Sequence, residues 1–160
     1  MISKYTSYDE VRSVLGVEDD ELSDSTLALN VYYNHLLEAL GDVNPLVVSL
    51  FDEVGELQDK TPTQERFLRL VRTFSTYAVA RQFTTSLPMF APRTIGDGKA
   101  TMSRFPNPYK ETIEGIEEQF TLTQNRLQQV VDELTSENRG VEPRRFFIGV
   151  GLAQDPVTGA

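Results

Sequence analysis

The sequence contains no cysteine and a single histidine, His35. Without cysteine the chain can form no disulfide, no thiolate zinc site and no iron–sulfur cluster, and it has no thiol nucleophile. The same absence fits a protein that is assembled in a reducing cytoplasm. No serine is marked out as a catalytic partner for the histidine, so we interpret His35 as a solvated or structural side chain.

Basic side chains are also scarce. The chain has 15 lysines and arginines against 24 aspartates and glutamates, which gives a formal charge of −9 at pH 7 and a pI near 4.6. Proteins that read nucleic acids usually carry a basic patch that neutralises phosphates, so this composition argues against that class. The simplest explanation of the excess of acidic side chains is that their charge keeps the protein soluble. The alternative is an acidic surface past which DNA slides without sticking.

Long apolar runs are absent as well. The longest, residues 45–51, falls far short of the roughly 20 residues that a membrane helix needs, so we expect no membrane partner. A chain of 160 residues, 39% of them hydrophobic, is long enough for one domain with an ordinary core. We find no internal repeat and no low-complexity tract.

The chemical motifs that can be recognised are incomplete. Residues 96–99 resemble a phosphate-binding loop, but Arg93 and Ala100 stand where that loop needs a glycine and a serine or threonine. The acidic residues 18–21 lack the glycine and the spacing of a calcium-binding loop. Four glutamates near the start of the last predicted helix are interpreted as a charged outer face: Glu111, Glu114, Glu117 and Glu118. We therefore expect no catalytic residue, no metal site and no cofactor.

Capping residues and periodic apolar side chains predict helices in the first sixty residues. Ser7 and Glu10 form a capping box, and Gly16 is placed to end the helix that follows. A second helical region is predicted to begin after Ser23 or Asp24 and to run towards Gly41. A third is predicted within residues 45–57, where apolar side chains recur at helical spacing.

Two long helices are predicted in the second half of the chain. Thr61 and Pro62 provide a cap and a first-turn proline for one helix, which we expect to end near Ser86. One face of it carries a stripe of arginines, Arg66, Arg69 and Arg72.

The other long helix opens at Pro108 and ends by Gly140, and about three heptads of seam residues predict packing within a bundle. The seam consists of Ile113, Ile116, Phe120, Thr123, Leu127, Val130 and Leu134.

Helical periodicity stops between the two long helices, at residues 87–108. Four prolines and two glycines fall in this segment, yet it is too apolar for a disordered linker. We predict an ordered, protruding loop or hairpin that contacts a neighbouring subunit. The predicted contact residues are Met89, Phe90, Ile95, Met102 and Phe105.

The last twenty residues, 141–160, follow no helical period, and Gly149 and Gly151 disfavour a helix. We predict an extended C-terminal arm that binds a partner, with a strand that folds back on its own domain as the alternative. The predicted binding residues are Arg144, Arg145, Phe146, Phe147, Ile148, Val150 and Leu152. The predicted fold is thus mainly α: a helix-bundle domain at residues 1–140 and an extended arm.

Two blocks of the sequence resemble the head-to-tail connector (adaptor) proteins of tailed bacteriophages. The first is Tyr5-Thr6-Ser7-Tyr8-Asp9-Glu10-Val11-Arg12-Ser13-Val14-Leu15-Gly16-Val17, followed by Glu21-Leu22-Ser23-Asp24. The second is Leu87-Pro88-Met89-Phe90-Ala91-Pro92 with Asp97-Gly98-Lys99-Ala100-Thr101-Met102-Ser103-Arg104-Phe105. In the order and type of its elements the resemblance covers about residues 1–135, and it does not extend to the tail after Gly140.

The resemblance implies a non-enzymatic subunit of the virion neck that is assembled in the host cytoplasm. It implies a ring, commonly of twelve copies, which lies beneath the portal, extends the DNA channel and offers a platform to tail proteins. DNA would only pass through the channel, and the C-terminal arm would dock on the portal. Two other classes stay open: a cytosolic helical interaction protein unrelated to virions, and a small enzyme or regulator whose pocket the sequence does not show.

Overall fold

The chain folds mainly into α-helices. The computed structural model describes residues 1–87, 94–96, 101–103 and 109–139. After a 3₁₀ turn at Ile2–Lys4, the helices are α1 (Tyr8–Leu15), α2 (Asp24–Leu27), α3 (Asn30–Val43), α4 (Val47–Glu56), α5 (Pro62–Phe83) and α6 (Lys110–Arg139). Two short strands, β1 (Thr94–Gly96) and β2 (Thr101–Ser103), lie between the two long helices. The predicted mainly α bundle with two long helices is confirmed, whereas the predicted C-terminal arm at 141–160 lies outside the described residues.

The caps of α1 and α5 are those that the sequence predicted. Ser7 Oγ accepts a hydrogen bond from the Glu10 amide at 3.2 Å, and the Glu10 carboxylate accepts one from the Ser7 amide at 3.3 Å. Gly16 ends α1 in the left-handed region with a φ of 69°, which glycine adopts without a steric penalty. Thr61 and Gln64 form the same reciprocal box on α5, at 3.3 and 2.9 Å.

The predicted end of α5 near Ser86 is three residues too late. The helix ends at Phe83, and residues 84–86 form a turn in which the Ser86 amide donates to the Phe83 carbonyl at 3.0 Å. This three-residue spacing is that of a tightened last turn rather than of a continuing α-helix.

The prediction of one helical region that runs from Ser23 or Asp24 towards Gly41 is wrong in its middle. Ser23 does cap a helix, but α2 ends at Leu27, and Leu29 is extended (φ −61°, ψ 135°) before α3 begins. This break buries Leu27 completely and leaves Leu29 about half exposed, so tertiary packing overrides the local helical pattern. Helix α3 then continues through Gly41 and ends at Val43.

Helix α5 is the central element of the bundle and packs against α1, α3, α4 and α6. Its inner face buries Phe67, Val71 and Phe74 completely. The predicted seam of α6 faces it: Leu127 and Val130 are also fully buried. The polar seam residue, Thr123, is buried too, and its hydroxyl donates to the Gln119 carbonyl of its own helix at 2.7 Å, so no hydrogen bond is lost in the core. The heptad pattern therefore identified the correct face.

Two ion pairs show that α5 and α6 run antiparallel. Arg66, near the start of α5, lies 3.6 Å from Glu133, near the end of α6, and Arg81 lies 2.8 Å from Glu117 at the opposite ends. The Arg81 guanidinium also lies 4.6 Å from the ring centre of Phe120, within the range of a cation–π contact. The end of α5 and the start of α6 are consequently neighbours, and the segment that joins them leaves and returns at one end of the helix pair. In the described ranges, none of the helices combines the length and the apolarity needed to cross a membrane.

Candidate interaction surfaces

The segment between α5 and α6 contains a hairpin. Strands β1 and β2 are antiparallel, with Ile95 opposite Met102 and Gly96 opposite Thr101. This pairing agrees with the hairpin form of the prediction for residues 87–108. The same pairing does not fit a phosphate-binding loop at residues 96–99, because such a loop is followed by a helix, whereas Thr101–Ser103 form a strand.

Both ends of this segment are anchored in the core. Leu87 is completely buried, and Tyr109 packs against the core at the start of α6, where its carbonyl accepts from the Ile113 amide at 2.9 Å. Three of the predicted contact residues lie outside the described residues: Met89, Phe90 and Phe105. The same holds for the predicted binding residues of the arm: Arg144, Arg145, Phe146, Phe147, Ile148, Val150 and Leu152.

The residues before α1 tie the N-terminus to the bundle. Tyr5 is buried, with its ring centre 5.0 Å from that of Phe51 in α4. The hydroxyls of Thr6 and Thr76 lie 2.6 Å apart and join this segment to α5. Lys4 forms an ion pair with Asp52 at 2.6 Å, and this contact raises the pKa of Lys4.

The Tyr5 hydroxyl is buried without a hydrogen-bond partner in the described part of the chain. Burial raises the pKa of Tyr5, because the phenolate would lose its hydration inside the protein. Lys4, whose Nζ lies 5.3 Å from the centre of the Tyr5 ring, opposes this increase in part through its positive charge, although the two groups do not form a hydrogen bond of ordinary geometry. Sequence reasoning missed this group, since nothing in the local pattern marks Tyr5 as buried.

A buried arginine holds α1 and α2 together. The Arg12 guanidinium donates to the carboxylates of Asp24 and Asp9, both at 2.7 Å, and to the Leu22 carbonyl at 3.1 Å. These carboxylates, Asp24 above all, raise the pKa of Arg12. With three acceptors, Arg12 acts as a structural clamp. The sign of this clamp in the sequence is that Arg12 follows Asp9 by three residues, which places both side chains on one face of a helix.

The arginine stripe of α5 is exposed and runs from the α6 side to the α1 side of the helix. Arg66 faces Glu133 of α6, and Arg69 lies 3.8 Å from Glu65 on its own helix. Arg72 lines two adjoining clefts beside α1, of about 290 and 370 Å³, and Glu10 lines both as well. Among the described residues Arg72 forms no ion pair. The structure therefore places an exposed cation in a groove between α1 and α5.

The turn after α1 carries four consecutive carboxylates, at residues 18–21, and all four residues are exposed. The Glu21 amide donates to the Glu18 carbonyl at 3.2 Å, so these residues form a tight turn. None of the four carboxylates forms an ion pair with a cation of the described residues.

His35 is about half exposed and lies 3.4 Å from Glu38, which agrees with a solvated side chain.

Charge is divided unevenly along the chain. Residues 1–87 and 109–139 hold 21 of the 24 acidic side chains but 10 of the 15 basic ones. Residues 88–108 and 140–160 hold 3 acidic and 5 basic side chains. The helical body is thus strongly acidic, and the two segments predicted to bind partners are weakly basic.

Comparison of the chain with protein-family models, with curated proteins and with solved structures found no match. Within the described ranges, no three histidine, aspartate or glutamate side chains are grouped as ligands for a metal ion. The fold and the surface define a mainly α-helical bundle with a hairpin between its long helices, a groove beside α1 that contains Arg72, and an acidic turn.

Proposed function

We propose that this chain is a structural subunit of a bacteriophage neck, a head-to-tail connector that forms a ring beneath the portal and extends its DNA channel. In this proposal the helical bundle builds the ring. The hairpin segment contacts the neighbouring subunit, and the C-terminal arm docks on the portal. The tail side of the ring receives tail or further neck proteins.

The observation that carries the proposal is the structure of the first resemblance block. Its residues cooperate in one unit: Tyr5 fills the core, Ser7 and Glu10 cap α1, and Arg12 clamps α1 to Asp24. Loss of Asp24 would leave the buried Arg12 guanidinium short of an acceptor, and loss of Ser7 or Glu10 would remove the reciprocal cap of α1. The resemblance therefore concerns a structural unit rather than scattered identities, which supports a common fold.

The position of the second resemblance block also supports the proposal. This block lies in residues 87–105, the segment that starts and ends at one end of the antiparallel α5–α6 pair and contains the β1–β2 hairpin. A two-stranded hairpin is at best marginally stable alone in water. An apolar hairpin segment is therefore well suited to packing on another surface, which the ring would provide.

Native mass spectrometry of the purified chain mixed with the portal protein of the same genome tests the proposal. We expect a portal complex that carries a complete ring of this chain, with twelve copies as the expected number. A portal that binds a monomer or a dimer, or none, would contradict the ring. Independently, the gene should lie beside portal and capsid genes, and a location among unrelated cytosolic genes would favour the alternative helical interaction protein.

A further inference from the structure

We infer that the acidic turn at residues 18–21 of one copy docks into the groove around Arg72 of the next copy. This contact would be the charged part of the subunit interface, so the inference rests on the proposed self-association of the chain. It assigns a partner to Arg72, for which the proposed function alone gives no role.

The groove supplies a cation without an intrachain partner. Arg72 is exposed, lines both clefts beside α1 and pairs with no carboxylate of the described residues. The Glu10 carboxylate lines the same clefts and keeps its charge, but it is held at the cap of α1, where it accepts from the Ser7 amide at 3.3 Å and from the Thr6 hydroxyl at 3.1 Å. An arginine in such a groove binds carboxylates well, because its planar group presents several donors in a fixed geometry.

The acidic turn supplies the matching anion. Its four residues form a turn less than about 7 Å across, so its carboxylates repel one another at short range, and a cation from outside relieves that repulsion.

The two surfaces do not pair within one chain. The described residues show no ion pair between residues 18–21 and the stripe, although both adjoin α1. A contact between two different patches can repeat head to tail and close a ring when the rotation between copies allows it. Because both patches adjoin α1, the same contact can also form twice across a two-fold axis, so the choice of a ring rests on the proposed function.

Disulfide trapping tests the contact directly, because the natural chain has no cysteine. One variant carries Thr73→Cys, next to Arg72 on the exposed side of the groove, and another carries Asp19→Cys, which leaves three carboxylates on the turn. The two variants are mixed and mildly oxidised at low ionic strength. The matched control replaces Asp19→Cys with Asp59→Cys, another exposed aspartate, in the link between α4 and α5.

We expect the Thr73–Asp19 mixed dimer to form several-fold faster than the Thr73–Asp59 dimer. Adding Arg72→Glu to the Thr73→Cys chain should remove the difference. Raising the salt from about 0.01 M to about 1 M should also reduce the yield, since the screening length falls from about 30 Å to about 3 Å. Equal yields for the two pairs, no mixed dimer, or a dimer that survives Arg72→Glu would overturn the inference.

The portal experiment separates this inference from the proposed function. If the natural chain forms a ring on the portal and the Arg72→Glu chain forms the same ring, the function stands and the inferred contact is wrong. If the natural chain forms no ring, the proposed function fails. Double-stranded DNA is a further probe. If it binds the natural chain but not the Arg72→Glu chain, and no mixed dimer forms, Arg72 contacts DNA phosphates instead and the inference is overturned.

Discussion

At the scale of single residues, the least expected feature is the buried hydroxyl of Tyr5. A hydroxyl that leaves water without gaining a hydrogen bond destabilises the folded state by about 1–3 kcal/mol. Its ring, in contrast, contributes apolar contacts with Phe51. The two parts of this side chain therefore have opposite effects on stability.

Tyr5→Phe should raise the free energy of unfolding at pH 7 by about 1 kcal/mol, because it removes the unpaired hydroxyl and keeps the ring. Urea denaturation measures the change. Tyr77→Phe, at a partly exposed ring, is the matched control and should have little effect. A clear destabilisation by Tyr5→Phe would mean that the hydroxyl has a partner after all.

The same variant has a signature at alkaline pH. The folded-state pKa of Tyr5 is raised above its ordinary value of 10.0, so above about pH 10 the unfolded chain loses this proton before the folded one does. Stability then falls as the pH rises. Lys4, whose pKa is also raised, contributes a loss of the same sign above its ordinary value of 10.5. Tyr5→Phe should remove the tyrosine part of the loss and leave the part of the lysine effect that comes from Asp52.

Neither Tyr5 nor Arg12 could be assigned its role from the sequence. Tyr5 packs against Phe51 of α4, which is more than forty positions away in the chain. The main anchor of Arg12 is Asp24, across the turn between α1 and α2. Local patterns report capping and periodicity but not contacts between elements, so the sequence predicted the caps of α1 and missed the clamp beside them.

At the scale of elements, the helices whose starts are set by side-chain caps were predicted best. The reciprocal hydrogen bonds of the capping boxes involve residues three positions apart, which sequence can show directly. The break between α2 and α3 was missed, because it depends on the burial of Leu27 against the core. The seam of α6 was predicted correctly, because α6 packs along one long helix, α5, and this contact imposes a regular heptad spacing.

Thr61→Ala should lower the free energy of unfolding by about 1 kcal/mol, because the Gln64 amide would lose its side-chain acceptor at the start of α5. Thermal and urea unfolding, followed by circular dichroism, measure the change. Thr73→Ala, at an exposed position in the middle of the same helix, is the control and should have no such effect, since alanine is the better helix former there. Equal losses in both variants would show that the cap does not stabilise α5.

At the scale of the whole molecule, the chain combines an acidic helical body with two weakly basic segments. In the described residues, the core is built from the 3₁₀ turn, α1–α6 and the stretches between them, and it includes Ile2 and Leu134 near the two ends of that body. In the proposed function this body is the folding unit and the C-terminal arm binds the portal, with the division at residue 140 that the sequence predicts.

Deletion of residues 141–160 tests this division. The shortened chain should keep its helical circular dichroism and a cooperative thermal transition, because the described core lies before residue 140. It should no longer bind the portal, because a few buried aromatic side chains usually provide most of the affinity of such an interface, and the arm contains Phe146 and Phe147. Binding is measured by co-sedimentation with purified portal rings.

A finer variant separates binding from folding within the full-length chain. Phe146→Ser combined with Phe147→Ser should weaken portal binding by at least about 100-fold, which corresponds to about 2.7 kcal/mol, and should leave the thermal midpoint unchanged. Val157→Ser, further along the same tail, is the matched control and should bind normally.

A shortened chain that unfolds would show instead that the arm folds back onto its own domain. A shortened chain that still binds the portal would place the docking surface on the helical body, where the groove around Arg72 would be the first region to examine.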